Sequence, residues 1–221
     1  MPKPQVRVAL APRAQPFDES MDSLDAAVVY AHNAGFRVSI EKVRGGAPGF
    51  QNAGPFIQHM LEAGDTHLFI TGDDILYPED VIVRLVNREL DVVSGIYRKN
   101  MLDTIQPANF TPSVEEFVAR FHEGGIYPTQ FCSSHSMTIR RNVIEKMVAD
   151  YPELAYSQGD ATQYALFLPM IHEGQCYQDD WAFSVRARQS GFTLWDDYSV
   201  KLKHFCSGFL GFEQLEVQHG R

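Results

Sequence analysis

Short β-branched runs alternate with helix-period stripes along the first hundred residues, a rhythm that fits an α/β sheet and little else. "VRVAL" at 6–10 predicts a first strand. Leu24, Ala27, Val28 and Ala31 then recur at helical spacing behind Asp18 and Ser20, and Gly35 predicts the stop. "FRVSIEKV" at 36–43 predicts a second strand, "RGGAPGFQNAG" at 44–54 a glycine-rich loop, and residues 54–63 a helix. A third strand is expected at 67–71. Pro78 suits the first position of the next helix, where its missing N–H costs nothing and Glu79 and Asp80 complement the dipole. Val81, Ile82, Leu85 and Val86 give that helix its apolar stripe, and "DVVSGIY" at 91–97 predicts a fourth strand. Such units build a mainly parallel central sheet flanked by helices.

Beyond residue 100 the rhythm loosens. Helices are expected at 113–124 and 141–150, and a strand over "QFCSSHSMTIR" at 130–140. Residues 151–177 have no period and read as an irregular, substrate-side loop. "QDDWAFSVRARQSG" predicts a helix with acids first and arginines towards its end, followed by short strands in "FTLWDD" and "VKLKH". Neither a repeat nor a linker interrupts the 221 residues, so a single domain is expected.

Composition narrows the partners. The longest apolar runs are as short as "LFI" at 68–70, too short for a membrane span or anchor, and "MPKPQVRV" lacks a signal-peptide core, which points to the cytoplasm. Cys132, Cys176 and Cys206 are odd in number and lack CxxC spacing, which argues for buried thiols over disulfides or structural zinc. A net charge of −9 argues against nucleic acid as the main partner.

In open α/β sheets ligands bind beyond the carboxyl ends of the strands. Here those ends carry Ala11, Pro12 and Arg13, then residues 44–49, 72–74 and 97–99. Neither GxxxxGK[ST] nor GxGxxG is present, and "GGAPG" at 45–49 reads equally well as a turn. A bound pyrophosphate would then be neutralised most readily by a divalent cation on hard oxygen ligands, which Asp73 and Asp74 can supply. An imidazole would suit manganese as a further ligand, and His204 closes the "VKLKH" strand. Asp179 and Asp180 open a predicted helix, where N–H groups and dipole are expected to keep a carboxylate ionised, as a general base requires. A plain helix cap is the alternative.

Three stretches, in this order and spacing, resemble the nucleotide-sugar glycosyltransferases of GT-A fold, nearer the inverting family-2-like members. They are "HLFITGDDILYPEDVIVRLVNRELDVVSGIYRKN" (67–100), "SSHSMTIRRNVIEKM" (133–147) and "CYQDDWAFSVRARQSGFTLWDDYSVKLKH" (176–204). The resemblance implies one GT-A (Rossmann-like) domain over 1–221, with a nucleotide-sugar half at about 1–100 and an acceptor half at about 101–221. It implies Mn2+ or Mg2+ at Asp74 and His204, with Asp73 beside them, and Asp180 as catalytic base. Ala11, Pro12, Asn52 and Asp73 would face the nucleotide sugar, as would Arg98 and Lys99; Asp179 and Trp181 would lie on the acceptor side. The expected partners are a nucleotide-diphosphate sugar and a hydroxyl acceptor. Two departures stand out: Gly72 replaces the first acid of the DxD motif, and Asp179 replaces the commoner glutamate before the base. A sugar nucleotidyltransferase is a rival reading, weakened because "APRAQPF" offers only Arg13 after the first strand. A non-catalytic nucleotide- or sugar-binding module is another, supported by Gly72.

Overall fold

In a computed structural model of the chain, the structure describes residues 3–10, 17–43, 53–97, 113–205 and 209–210. The first half runs β1 (Gln5–Leu10), α1 (Asp18–Asn33), β2 (Arg37–Lys42), α2 (Gly54–Ala63), β3 (His67–Thr71), β4 (Ile75–Leu76), α3 (Val81–Val86) and β5 (Val92–Ile96). The second runs α4 (Val114–Glu123), β6 (Ile126–Thr129), β7 (Ser136–Arg140), α5 (Arg141–Asp150), β8 (Ala155–Gln158), β9 (Ala161–Tyr164), β10 (Met170–His172) and β11 (Gln175–Tyr177). It closes with α6 (Asp179–Gln189), β12 (Leu194–Lys201), β13 (Lys203–Phe205) and β14 (Phe209–Leu210).

The central seven-stranded sheet has the order β2-β1-β3-β7-β5-β12-β6. It is mainly parallel: β1 pairs in parallel with β2 and β3, and β12 with β5, while β7 opposes both its neighbours and β6 opposes β12. The two-residue period of each strand divides its side chains between two cores. Val6, Val8 and Leu10 join α1 and α3 on one face, through Leu24, Ala27, Ala31, Ile82 and Leu85. Ala9, Leu68 and Ile70 face the other way, onto Phe56, Ile57 and Met60 of α2, Val143 and Met147 of α5, and Phe183 of α6. Each large apolar side chain so enclosed contributes roughly 1.5–3 kcal/mol.

Several expectations change. Pro78 lies outside α3: the Val81 N–H bonds to its carbonyl in a turn (3.1 Å), so Val81 opens the helix. Of the strand expected at 130–140 only 136–140 pairs, because the N–H groups of Cys132, Ser134 and His135 go to side-chain oxygens of Ser184, Asp180 and Ser133. Residues 155–177 form two hairpins, β8–β9 and β10–β11. Their strands are largely exposed, so no buried alternation marks them in the sequence. "FTLWDD" does not end a strand. β12 runs on to Lys201, crossing a register shift against β5 between Asp197 and Lys201. Cys132 is buried and donates to the Trp195 carbonyl, but Cys176 is exposed, contrary to the expectation of buried thiols; Cys206 lies outside the described residues. Among the described residues no helix is long and apolar enough to cross a membrane.

The register shift lays Val200 over Gly95 of β5. A Cβ there would lie 2.8 Å from Val200 Cγ1 and 2.9 Å from its carbonyl oxygen, and backbone gives way poorly. Gly95→Ala is therefore expected to lower stability by about 1–3 kcal/mol, read by denaturant melts, with a loss under 0.5 kcal/mol speaking against this packing.

Candidate functional site

The turn after β3 carries Asp74, whose side chain is almost fully buried at 1 % exposure. Two strand registers bring imidazoles to it. β13 pairs antiparallel with β4, matching His204 to Ile75, and the Phe205 N–H bonds to the Asp74 carbonyl (2.8 Å). This sets His204 Nε2 3.5 Å from Asp74 Oδ2. β7 pairs antiparallel with β3, matching Ser136 to Thr71 at the carboxyl end of β3. The preceding residue, His135, therefore reaches the same turn, and its Nε2 lies 3.4 Å from Asp74 Oδ1.

Asp74, His135 and His204 each turn a donor atom into one space, all within 4.8 Å of one another. Burial opposes ionisation of Asp74, but hydrogen bonds and charge from His135 and His204 outweigh it and hold the carboxyl well below the usual carboxylate range. The ionised form is what a cation would meet.

Tyrosines fix both rims. The Tyr77 hydroxyl accepts the Gly72 N–H (2.8 Å) and shares its proton between the carbonyls of Gly72 (2.9 Å) and His135 (3.0 Å), locking the two segments together. Tyr97, just after β5, packs against both imidazoles, with ring centroids 4.9 Å from His135 and 5.3 Å from His204, while the two imidazoles lie 5.6 Å from each other. Its hydroxyl is 3.1 Å from His135 Nδ1 and accepts from Ser133 Oγ (2.9 Å). Such outer contacts fix a ligand imidazole's orientation and tautomer. Burial raises the phenol's pKa, so Tyr97 stays protonated.

The second acid pair stands close by, joined through one loop. Asp179 and Asp180 form the first turn of α6, as expected. Asp180 Oδ2 accepts from the Ser134 N–H (3.2 Å) and hydroxyl (3.4 Å), one residue before His135, while Oδ1 accepts from the Trp181 N–H (2.9 Å). The helix start does not keep this carboxyl readily ionised. Burial and the adjacent Asp179 charge outweigh those N–H groups and push its pKa up to about 6. That raised proton affinity suits a base.

Trp181 is 38 % exposed and stacks on Phe131 at 4.3 Å and 16°, with Tyr177 beside the pair and the Arg188 guanidinium 5.4 Å from the Phe131 ring. It is a surface platform, not a core tryptophan. Asp73 is buried next to Asp74, yet it is not among the three residues whose donors converge. Ala11, Pro12, Asn52, Arg98 and Lys99 lie outside the described residues.

Sequence reasoning missed His135, Ser134 and Tyr97. The signal was the polar "SSHS" in an expected strand, where hydroxyls and an imidazole face inward only if they have partners.

No protein-family model matches the chain, and no curated protein matches it by sequence. Among solved structures, GalNAc-T7 with UDP, GalNAc and Mn2+ superposes with a TM-score of 0.50 at 8 % identity, over 91 % of this chain and 44 % of that one. The chain thus spans less than half of GalNAc-T7. The catalytic domain of Drosophila β1,4-galactosyltransferase 7, with xylobiose, gives 0.45 at 11 % identity over 93 % and 67 % of the two chains. UTP-bound UGPase from Acinetobacter baumannii gives 0.46 at 10 % over 99 % and 93 %. The likeness to GalNAc-T7 is one of fold: a mixed α/β, GT-A-like sheet flanked by helices.

The raised pKa of Asp180 ties stability to pH. Its proton is held more tightly in the fold than in the open chain, so its contribution is fully present below the ordinary carboxylate value and is lost as pH rises through about 6. The stability of Asp180→Asn minus that of the wild type should be more favourable at pH 7 than at pH 4, by roughly 1–3 kcal/mol. An equal difference at both pH values would refute the strained carboxylate.

Proposed function

We propose that the chain is a metal-dependent glycosyltransferase, moving a sugar from a nucleotide-diphosphate sugar to an acceptor hydroxyl with inversion. One observation carries this reading: the loop 133–135 binds Asp180 at Ser134 and presents His135 to Asp74 one residue later. A half-buried carboxylate of raised proton affinity and a converging carboxylate–imidazole group thus share one short segment at the end of the sheet. GalNAc-T7, similar in fold, was solved with UDP, GalNAc and Mn2+, which supports the same ligand class here.

The donor set fits a divalent cation, Mn2+ or Mg2+, held by Asp74 and His204. When bound, that ion would supply Lewis-acid stabilisation to the diphosphate of the departing nucleoside diphosphate. Asp180 takes the acceptor proton while the hydroxyl attacks the anomeric carbon on the face opposite the leaving group. The Trp181 and Ser134 N–H groups hold the carboxylate in place for this. Charge builds on the sugar ring as oxocarbenium character, which the nearby carboxylates favour. By the family resemblance, Ala11, Pro12, Asn52 and Asp73 are the residues assigned to the nucleotide sugar, with Arg98 and Lys99 assigned to its anionic part. Asp179 and the Trp181 platform receive the acceptor, whose ring would lie on the indole.

Donor binding is tested by thermal shift against UDP-, GDP-, CMP- and dTDP-sugars with and without manganese. A ligand at 100 times its Kd adds about 2.7 kcal/mol. A shift needing both one nucleotide sugar and the metal, and lost in Asp74→Ala, is expected; no shift with any pair would overturn the reading. Asp180→Asn should keep that shift and lose at least a hundredfold in transfer rate. Donor binding without turnover in the wild type would favour a binding module. Trp181→Ala should raise the acceptor KM several-fold while leaving the donor shift intact, and an unchanged KM would remove the indole from the acceptor site.

A further inference from the structure

Position 72 and His135 compete for one volume. A Cβ on Gly72 would lie 2.5 Å from His135 Cδ2, 3.3 Å from its Nε2 and 3.1 Å from Asp74 Oδ1. Only glycine leaves room for the imidazole at this turn. The ring is also held from behind. Its Nδ1 meets the Tyr97 hydroxyl at 3.1 Å and Ser133 Oγ at 3.2 Å, and its carbonyl is tied to Tyr77. With Nδ1 occupied in this way, Nε2 is the nitrogen turned towards Asp74.

We propose that His135 is the third protein ligand of a divalent cation, standing where a carboxylate at position 72 would stand, and that the resulting set selects first-row transition ions over Mg2+ and Ca2+. The proposal deepens the metal-dependent reading above and rests on it for the use of the ion, though not for its binding. Two imidazole nitrogens and one carboxylate offer a single anionic oxygen donor among three protein ligands. Mg2+ and Ca2+ prefer oxygen shells, and Mg2+ gives up its waters reluctantly. Imidazole-rich sites instead gain affinity along the series from Mn2+ through Co2+. Three protein ligands also leave coordination positions open for oxygens of a bound substrate. The absent acid at 72 is on this view an exchange of donors, in which the nitrogen arrives from a different strand.

The test is calorimetric titration of the full chain with Mn2+, Co2+, Zn2+ and Mg2+, without nucleotide, supported by the loss of the free Mn2+ paramagnetic resonance signal. The wild type should bind Mn2+ at least tenfold more tightly than Mg2+, and Co2+ and Zn2+ more tightly still. His135→Ala should lose roughly tenfold or more in Mn2+ affinity, and His135→Gln, which keeps the bulk and polarity of the site, should show the same loss. Adding Gly72→Asp to His135→Ala should restore binding while narrowing the preference for Mn2+ over Mg2+. Gly72→Asp alone should lower the Tm, because the ring still occupies the space.

Unchanged Mn2+ affinity in both folded His135 variants would overturn the proposal, as would equal affinity of the wild type for Mg2+ and Mn2+. The two readings fail separately. Selective metal binding with no response to any nucleotide sugar would remove the glycosyltransferase reading and leave this one standing. A metal-dependent nucleotide-sugar shift that survives in both His135 variants with an unchanged Mn2+ concentration dependence would do the reverse.

Discussion

The site depends on one strand running against its neighbours. β7 enters the sheet between β3 and β5 antiparallel to both, so its amino end meets the carboxyl ends of the strands on either side. Pairing Thr71 with Ser136 then leaves the residues just before β7 no place but over the turn after β3. A parallel strand in that slot would have delivered residue 140 there instead, and 133–135 to the far end of the sheet. One of the two cores pins this arrangement, since Met137 and Ile139 of β7 pack with Leu68 and Ile70 of β3.

A buried carboxyl and a half-buried one at this end of the sheet are driven in opposite directions by what surrounds them. Asp74 faces two imidazoles and is held ionised despite its burial. Asp180 is desolvated, stands beside a second carboxylate and gains proton affinity. Neighbouring acids whose environments push them apart can take different roles, one offering fixed charge and the other exchanging a proton. The Ser133–Ser134 pair separates them, with one hydroxyl serving Tyr97 and the other Asp180.

Much of the frame was legible. The strands at 6–10, 36–43 and 67–71, the helix at 54–63 and the stripe of Val81, Ile82, Leu85 and Val86 all appear within a residue or so of their expected places. They were legible because burial imposes a period, and a period survives in sequence. The hairpins of 155–177 have little buried face and left no such trace. The pairing of Asp74 with His204 was expected from a resemblance and fits the β4–β13 register. His135 was not foreseen, because its closeness to Asp74 depends on the antiparallel direction of β7, a property of the whole sheet. Nor was the raised proton affinity of Asp180 foreseen, because the local argument from the helix start omitted burial and the charge of Asp179.

The shared volume at Gly72 and His135 also limits how this chain can change over generations. A side chain at 72 collides unless the imidazole has already gone, and an imidazole lost first leaves the carboxylate at 74 with one fewer partner. Each single step away from the present pair is unfavourable even where the double change is tolerable. Two positions 63 residues apart in sequence are therefore bound in sign epistasis, and homologues should carry either the glycine with the histidine or neither.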